Sequence, residues 1–362
     1  MGICDTTLRD ARFSPSVFLS KDEMLKIADI LDKICVDEVE LGIPNTSEQE
    51  ISIIKEINSR NYNFVSSCVY FCLNDSNIDE SIENVLRSGC SSVCISIATS
   101  KKLMALKTGR NEKGIISLMK HAVSCAVDKG LKVVFSGEDA SRADLSFLID
   151  YICTGEECGA SRFRFAETVS CMEPLDVSNV ISKIKASTNI DIEIHSHSAY
   201  GLALANSAAA LHAGASWVSS TVNGIGERGG NCNTIDMILY LYRFKKQENY
   251  NTQYLKALSD YVVSCTRDTG YKFTPIIGSD AFYYENYSNY KHKKLYQAYP
   301  PELVGNTDAL VLGKTMYEKV LEVWGFTLSN EEKSYILNYM YEHKKCLTKS
   351  ELEQLLKSQH LP

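Results

Sequence analysis

Across its first 245 residues the chain repeats one pattern eight times: a short run rich in β-branched and aromatic residues, then an amphipathic stretch with helical spacing. The runs begin near Ile3, Glu38, Phe64, Ser92, Lys132, Arg162, Asp191 and Trp217. Strand, helix, strand in series demands parallel pairing, and largely apolar strands call for cover on both faces. Eight such units predict an α/β protein built on a closed (β/α)8 barrel, the TIM-barrel architecture. A doubly wound open sheet is the alternative. It is disfavoured because Asp5-Thr6-Thr7-Leu8-Arg9-Asp10 follows the first run, where a dinucleotide-binding sheet carries a glycine-rich turn.

Helix boundaries carry their own signals. Ser20 with Glu23, Thr46 with Gln49, Ser329 with Glu332 and Ser350 with Glu353 have capping-box spacing. Gly89, Gly130, Gly159 and Gly214 sit where helices should stop. Beyond about residue 270 the pattern gives way to a Tyr-rich stretch, a basic Lys291-His292-Lys293-Lys294 and the pair Pro300-Pro301. Helical spacing returns from Leu310. The expected organisation is a barrel domain over 1–270 and a small, mainly helical C-terminal appendage over 271–362.

The 362 residues, 44% of them hydrophobic, are enough for a large core. A net charge of −7 without a long basic run argues against nucleic acid or an anionic membrane as partner and for small molecules. No apolar run approaches the roughly 18 residues of a membrane span, and Met1-Gly2-Ile3-Cys4-Asp5 lacks the features of a signal peptide, so a cytoplasmic setting is expected. The thirteen cysteines are scattered and odd in number, which suits reduced, buried thiols better than a disulfide framework.

Active sites in such barrels gather at the C-terminal ends of the strands. The chemistry-bearing residues fall there: Arg9 and Asp10 after strand one, Glu40 ending strand two, Glu138 and Arg142 after strand five, Thr168 after strand six, His195 and His197 ending strand seven, Asn231 beyond strand eight. Strand side chains two apart share a face, so His195 and His197 can aim at one point. Asp10, His195, His197 and Asn231 form a mixed oxygen and nitrogen set that suits a divalent metal such as Mg, Mn or Zn and leaves positions open for substrate. Plainer readings exist for each: a polar patch for the histidines, a cap or a salt bridge to Arg9 for Asp10, turn chemistry for Asn231, an ion pair with Asp139 or Asp144 for Arg142.

Six segments together resemble the DRE-TIM metallolyases: Asp5 to Asp10, Glu38 to Pro44, Gly137 to Asp144, Arg162 to Val169, His195-Ser196-His197, and Asn223-Gly224-Ile225-Gly226-Glu227-Arg228-Gly229-Gly230-Asn231. The resemblance is closest to homocitrate synthases, with isopropylmalate and citramalate synthases related. It continues more weakly at Gly278 to Phe282, Pro301 to Gly305 and Leu312 to Lys314. It implies a metal held by Asp10, His195, His197 and Asn231, with Arg9 and Glu40 in the catalytic signature. It also implies Thr168 on the C1 carboxylate of a 2-oxo acid, Glu138 in the substrate site, and Arg142 on the distal carboxylate of 2-oxoglutarate. Acetyl-CoA is the implied co-substrate and a homodimer the implied assembly.

The departures cluster. Ala11-Arg12-Phe13 stands where the family continues Gly-Glu-Gln, and Leu103 stands where His or Gln is usual. Asn286-Tyr287-Ser288-Asn289 replaces a Ser-Gly-Ile-His run whose histidine serves acid–base chemistry on acetyl-CoA. Gly313-Lys314-Thr315-Met316-Tyr317 replaces Gly-Lys-His-Ser-Gly. Asn289 cannot act as a base, and His292, Tyr284 and Tyr287 are the nearby substitutes. Three readings follow in order: an acyltransferase condensing acetyl-CoA with a 2-oxo acid, a metal-dependent aldolase or lyase acting on a 2-oxo or hydroxy acid, and a non-catalytic binding relic.

Overall fold

The computed structural model describes residues 1–15, 17–266, 282–297, 300–301, 307–315 and 317–358. Eight parallel strands close into a barrel: β1 (Gly2–Asp5), β2 (Glu38–Glu40), β3 (Val65–Phe71), β4 (Ser92–Ala98), β5 (Lys132–Glu138), β6 (Arg162–Glu167), β7 (Asp191–Ser196) and β8 (Trp217–Ser220). Closure is made by β1 against β8, with Ile3 beside Val218. This excludes the open sheet. All eight expected strands are present, although β1 stops at Asp5 because Thr7–Asp10 turns into a short helix.

Alternation sorts the strand side chains. Ile3, Val93, Phe135, Phe163, Phe165, Ile192 and Ile194 face outward into the layer of helices, where Leu25, Ile54, Ile82, Met119, Ile152, Ile181 and Ile238 complete the main core. The inward face is not the apolar stack that the composition of the runs suggests. Glu38 and Glu40 of β2, Arg162 and Arg164 of β6, and Glu193 of β7 point into the lumen. β2 and β6 are not neighbours in the barrel, so an ion pair between them must cross its interior. Arg164 makes such a pair with Glu40 (2.8 Å) and holds Glu193 with Nε (2.8 Å); Arg162 holds Glu38 (2.7 Å) and Glu193 (2.7 Å). Arg9 extends the chain upward, pairing with Glu40 at 2.5 Å and with Asp10. All seven groups are buried.

Local signals place the helices with small shifts. Ser20 and Glu23 form the expected box at the head of Lys21–Ile34, and Ser329 and Glu332 do so for Asn330–His343. The other two caps differ. Ser47, not Thr46, caps Glu48–Asn58. Thr348 and Glu351, not Ser350 and Glu353, exchange hydrogen bonds at the head of Lys349–Ser358 (2.8 and 3.3 Å). The four glycines expected at helix ends all have positive φ.

The C-terminal segment builds a second apolar cluster from Leu310, Leu312, Val320, Ile336, Met340 and Leu352, and Phe18 from the loop after β1 inserts into it. Lys344 donates to the Phe18 carbonyl (3.0 Å) and Lys314 to that of Ala11 (2.8 Å). The expected boundary at 270 lies outside the described residues, as do Gly278 to Ala281 and most of Pro301 to Gly305. Among the described residues no helix is long and apolar enough to cross a membrane.

Removing one partner of a buried ion pair strands a charge in low dielectric, at a cost of about 3–5 kcal/mol. Arg164→Met leaves both Glu40 and Glu193 short of a cation. It is expected to lower unfolding free energy by about that amount in urea titration. A loss below about 1 kcal/mol would show that the barrel does not depend on the ladder.

Candidate active site

A cavity of about 680 Å³ opens at the C-terminal ends of the strands, with Arg9, Asp10, Thr168, His195, His197 and Arg228 in its wall. The two histidines stand at and just beyond the end of β7, ring centroids 5.1 Å apart and planes at 85°. Burial pushes both imidazoles well below their ordinary pKa, with Arg9 next in weight for His195 and Arg228 for His197, where the Gly230 carbonyl opposes the shift. Arg228 donates to His197 Nε2 (2.9 Å) and to the Thr168 carbonyl (3.2 Å).

Asn231 does not line the cavity; a turn that needs glycine brings it beside His197 instead. Gly230 has φ +94°, and a Cβ there would sit 2.1 Å from the Gly224 carbonyl oxygen. The turn bridges Asn231 antiparallel to His197. The Asn231 amide donates from Nδ2 to the Ile225 carbonyl (3.2 Å), which leaves Oδ1 facing away. Oδ1 of Asn231 and Nδ1 of both His195 and His197 are buried without any hydrogen-bond partner. Buried polar atoms are usually satisfied, and three on neighbouring residues at one strand end leave room for a binding partner.

Asp10 is engaged otherwise. Its Oδ1 accepts from Arg9 and its Oδ2 from the Thr6 hydroxyl (2.6 Å). Burial raises its carboxyl to about 6 against the pull of Arg9. Among the described residues no three His, Cys, Asp or Glu side chains gather into a metal-sized group. The unpartnered imidazole nitrogens of His195 and His197, in the cavity wall with Asp10, and the unpartnered amide oxygen of Asn231 beside His197 nonetheless have the donor chemistry of a divalent-cation site.

Other expected residues divide. Thr168 lines the cavity, its Oγ accepting from the Asp139 N–H (2.9 Å). Glu138 lines it too, gripped by Lys107 at 2.7 and 2.8 Å. Glu40 lies beneath Arg9 and orients it. Arg142 is held elsewhere: its guanidinium forks onto Asp139 (2.9 and 2.8 Å) and donates to the Leu295 carbonyl (2.8 Å), and it is not part of the cavity wall. The plainer reading of that residue describes its position.

Arg164, Lys107 and Arg228 are in the wall but were not among the expected site residues. The alternation Arg162-Phe163-Arg164-Phe165 was the available signal for the first, since it puts two cations on one strand face. Of the departures, Arg12 pairs with buried Glu50 and Phe13 packs edge-on to Phe71, centroids 6.1 Å apart. Asn289 lines the cavity, whereas His292, Tyr284 and Tyr287 do not. Leu103 is buried against Tyr296 and Ala98.

The HMGL-like family model matches residues 1–262. Homocitrate synthase 1 of Nostoc sp. is 32% identical over 370 residues, covering 99% of this chain and 97% of its own. 2-Isopropylmalate synthase 2 of Caldanaerobacter subterraneus is 30% identical, covering 93% of this chain and 89% of its own. Among solved structures, the HMG-CoA lyase of Bacillus subtilis superposes with a TM-score of 0.65 at 17% identity, covering 74% of this chain and 94% of its own, a likeness of fold.

A cation that binds only the folded chain stabilises it by about 2.7 kcal/mol at a hundred times its Kd. Mn²⁺ is expected to raise the melting temperature accordingly, and His195→Ala and Asn231→Ala are each expected to abolish the rise. Superimposable melting curves with and without Mn²⁺, Mg²⁺ and Zn²⁺ would remove the cation from this site.

Proposed function

The chain belongs to the HMGL-like family, and on that premise we propose that it joins the acetyl group of acetyl-CoA to the keto carbon of a 2-oxo acid at a divalent cation. The observation that carries the reading is the unpartnered Nδ1 of His195 and of His197 in the cavity wall that also holds Arg9 and Thr168, with a third unpartnered atom, Oδ1 of Asn231, on the residue bridged to His197 outside that wall. The names of relatives at 30–32% identity, homocitrate and 2-isopropylmalate synthases, support the same reaction class.

His195, His197, Asn231 and Asp10 would hold the cation, which would chelate the 2-oxo acid and polarise its keto group. The remaining work belongs to the chain's own groups. Arg9 has its Nε fixed by Glu40 and one terminal nitrogen on Asp10, so its charge is preorganised beside the oxygen that becomes negative when the keto carbon is attacked. Thr168 Oγ already accepts a backbone N–H, and its own proton meets only the Ala166 carbonyl at 3.5 Å; that O–H is available to a substrate carboxylate. The proton leaving the acetyl methyl needs a base. Asn289 cannot serve, and the carboxylates in the wall, Asp10, Glu50, Glu138 and Glu227, each sit against a cation. The reading carries with it the expectations of a homodimer and a cytoplasmic setting.

The presence of Asn289 in the wall favours one second reading, metal-dependent carbon–carbon cleavage of a hydroxy acid, because that reaction needs no base on an acetyl methyl. The two are separated by product: for condensation, free CoA thiol, released when water hydrolyses the thioester of the newly joined product; for cleavage, a released 2-oxo acid. With Mg²⁺ or Mn²⁺, acetyl-CoA and a panel of 2-oxo acids, thiol release is expected for at least one acid. Arg9→Gln is expected to lower kcat by about 10²–10³-fold. Silence across the panel would dismiss condensation, and turnover that survives His195→Ala would dismiss the assigned site.

A further inference from the structure

We propose that the far side of the cavity takes an uncharged aliphatic group, so that the substrate is a short 2-oxo monocarboxylate with a neutral side chain rather than a dicarboxylate, with Phe13, Ile43 and Val69 selecting it. This inference rests on the 2-oxo acid reading above and names the substrate class for that site.

The argument starts from barrel topology. In a closed ring of eight strands, β3, β4 and β5 stand across the mouth from β7, β8 and β1. The groups suited to the keto-acid end, His195, His197, Arg9 and Asp10, come from β7 and from the turn after β1. A small acid anchored there directs its other end toward β3–β5.

That opposite wall is of another kind. Val69 and Phe71 of β3 and Cys94 and Ser96 of β4 line it, joined by Ile43 from the turn after β2. Ile43, Val69, Cys94 and Val134 form a buried apolar cluster of their own, against which Phe13 packs. The residue that departs from the family pattern thus completes a hydrophobic surface. Its neighbour Arg12 also lines the cavity, paired there with Glu50 of the same wall.

A second carboxylate at the far end would need a cation, since neutral hydroxyls such as those of Ser96 and Ser136 do not offset a desolvated charge. Arg142, the residue with the right fork, is spent on Asp139 and the Leu295 carbonyl outside the wall. Lys107, Arg12 and Lys314 are cations among the described residues of the wall, and each is engaged: both oxygens of Glu138 grip Lys107, Glu50 holds Arg12, and Lys314 donates to the Ala11 carbonyl. A dicarboxylate brought there would meet Glu138 as a like charge. An alkyl group meets an apolar wall of Phe13, Ile43 and Val69 and displaces water chiefly from Phe13, the partly exposed member.

The test is binding, measured without CoA so that it does not depend on turnover. Calorimetric titration of the Mn²⁺-loaded protein with 2-oxobutanoate, 2-oxoisovalerate and 2-oxoglutarate is expected to show at least one monocarboxylate about tenfold or more tighter than 2-oxoglutarate. Phe13→Arg is expected to reverse the order by placing an unpaired cation in the wall, while Phe13→Leu keeps it. 2-Oxoglutarate binding as tightly as the monocarboxylates in the wild-type protein would overturn this inference and leave the 2-oxo acid reading standing. No binding of any of the three would overturn both. The wild-type ranking decides even if Phe13→Arg does not fold.

Discussion

The ion pair between Arg164 and Glu40 spans the lumen of the barrel, and the mouth above it is arranged around that contact. Glu40 has two oxygens and two clients, Arg164 on one and Arg9 on the other. Arg9 therefore has one fixed orientation, because its Nε is committed to a carboxylate that is itself committed from below. Opposing cations hold the Glu40 carboxyl below its ordinary pKa although burial pushes the other way. An interior of this kind is costly to desolvate and strongly destabilised by any single loss. Its return is a cation, Arg9, presented to the cavity without freedom to swing.

The second determinant is how residues distant in sequence are carried to the same rim. Pairing of β7 with β6 sets Ala166 beside His195, which brings the loop bearing Thr168 near the histidines. The double glycine at 229–230 folds the chain after β8 back on itself and bridges Asn231 to His197. The C-terminal segment is pinned to the loop after β1 by Phe18 in its apolar cluster and by Lys314 and Lys344 on backbone carbonyls of that loop. Lys314 is half-buried, and desolvation lowers its pKa against the pull of Glu285. Through this docking Asn289, more than two hundred residues from β2, stands in the wall of the same cavity as Arg9.

The barrel was legible because two periodicities, 2 and 3.6, alternate eight times, and each is imposed by backbone geometry rather than by partners. The lumen was not. Phe163, Phe165, Ile192 and Ile194 dominate the hydrophobicity of their strands while Arg162, Arg164 and Glu193 carry the inward face, and a cross-barrel pairing such as Arg164 to Glu40 has no local signature. Caps slipped by one or two residues where hydroxyls crowd, at Thr46-Ser47 and Thr348-Ser350, since each can bond the first turn. Arg142 shows the limit for side chains. Its partner is chosen by Asp139, whose backbone adopts a left-handed conformation (φ 63°) just ahead of the turn that carries Arg142, and a motif match cannot see that turn.

The departures from the family pattern are far apart in sequence yet contiguous in space. Lys314 of the altered C-terminal motif donates to the carbonyl of Ala11, the first residue of the altered triplet after Asp10. Arg12, the second, crosses to Glu50, and Phe13, the third, leans on the apolar cluster of β3 and β4. Asn289 and Thr315 line the same cavity. Changes at Ala11, Arg12, Phe13, Asn289 and Thr315 therefore fall in one region, while Arg9, Asp10, Thr168, His195 and His197 line another part of the same cavity, with Asn231 bridged to His197. A barrel separates these two halves naturally, because opposite strands meet only through what lies in the mouth between them. Chemistry at one wall can stay as it is while the opposite wall is rebuilt for a different group.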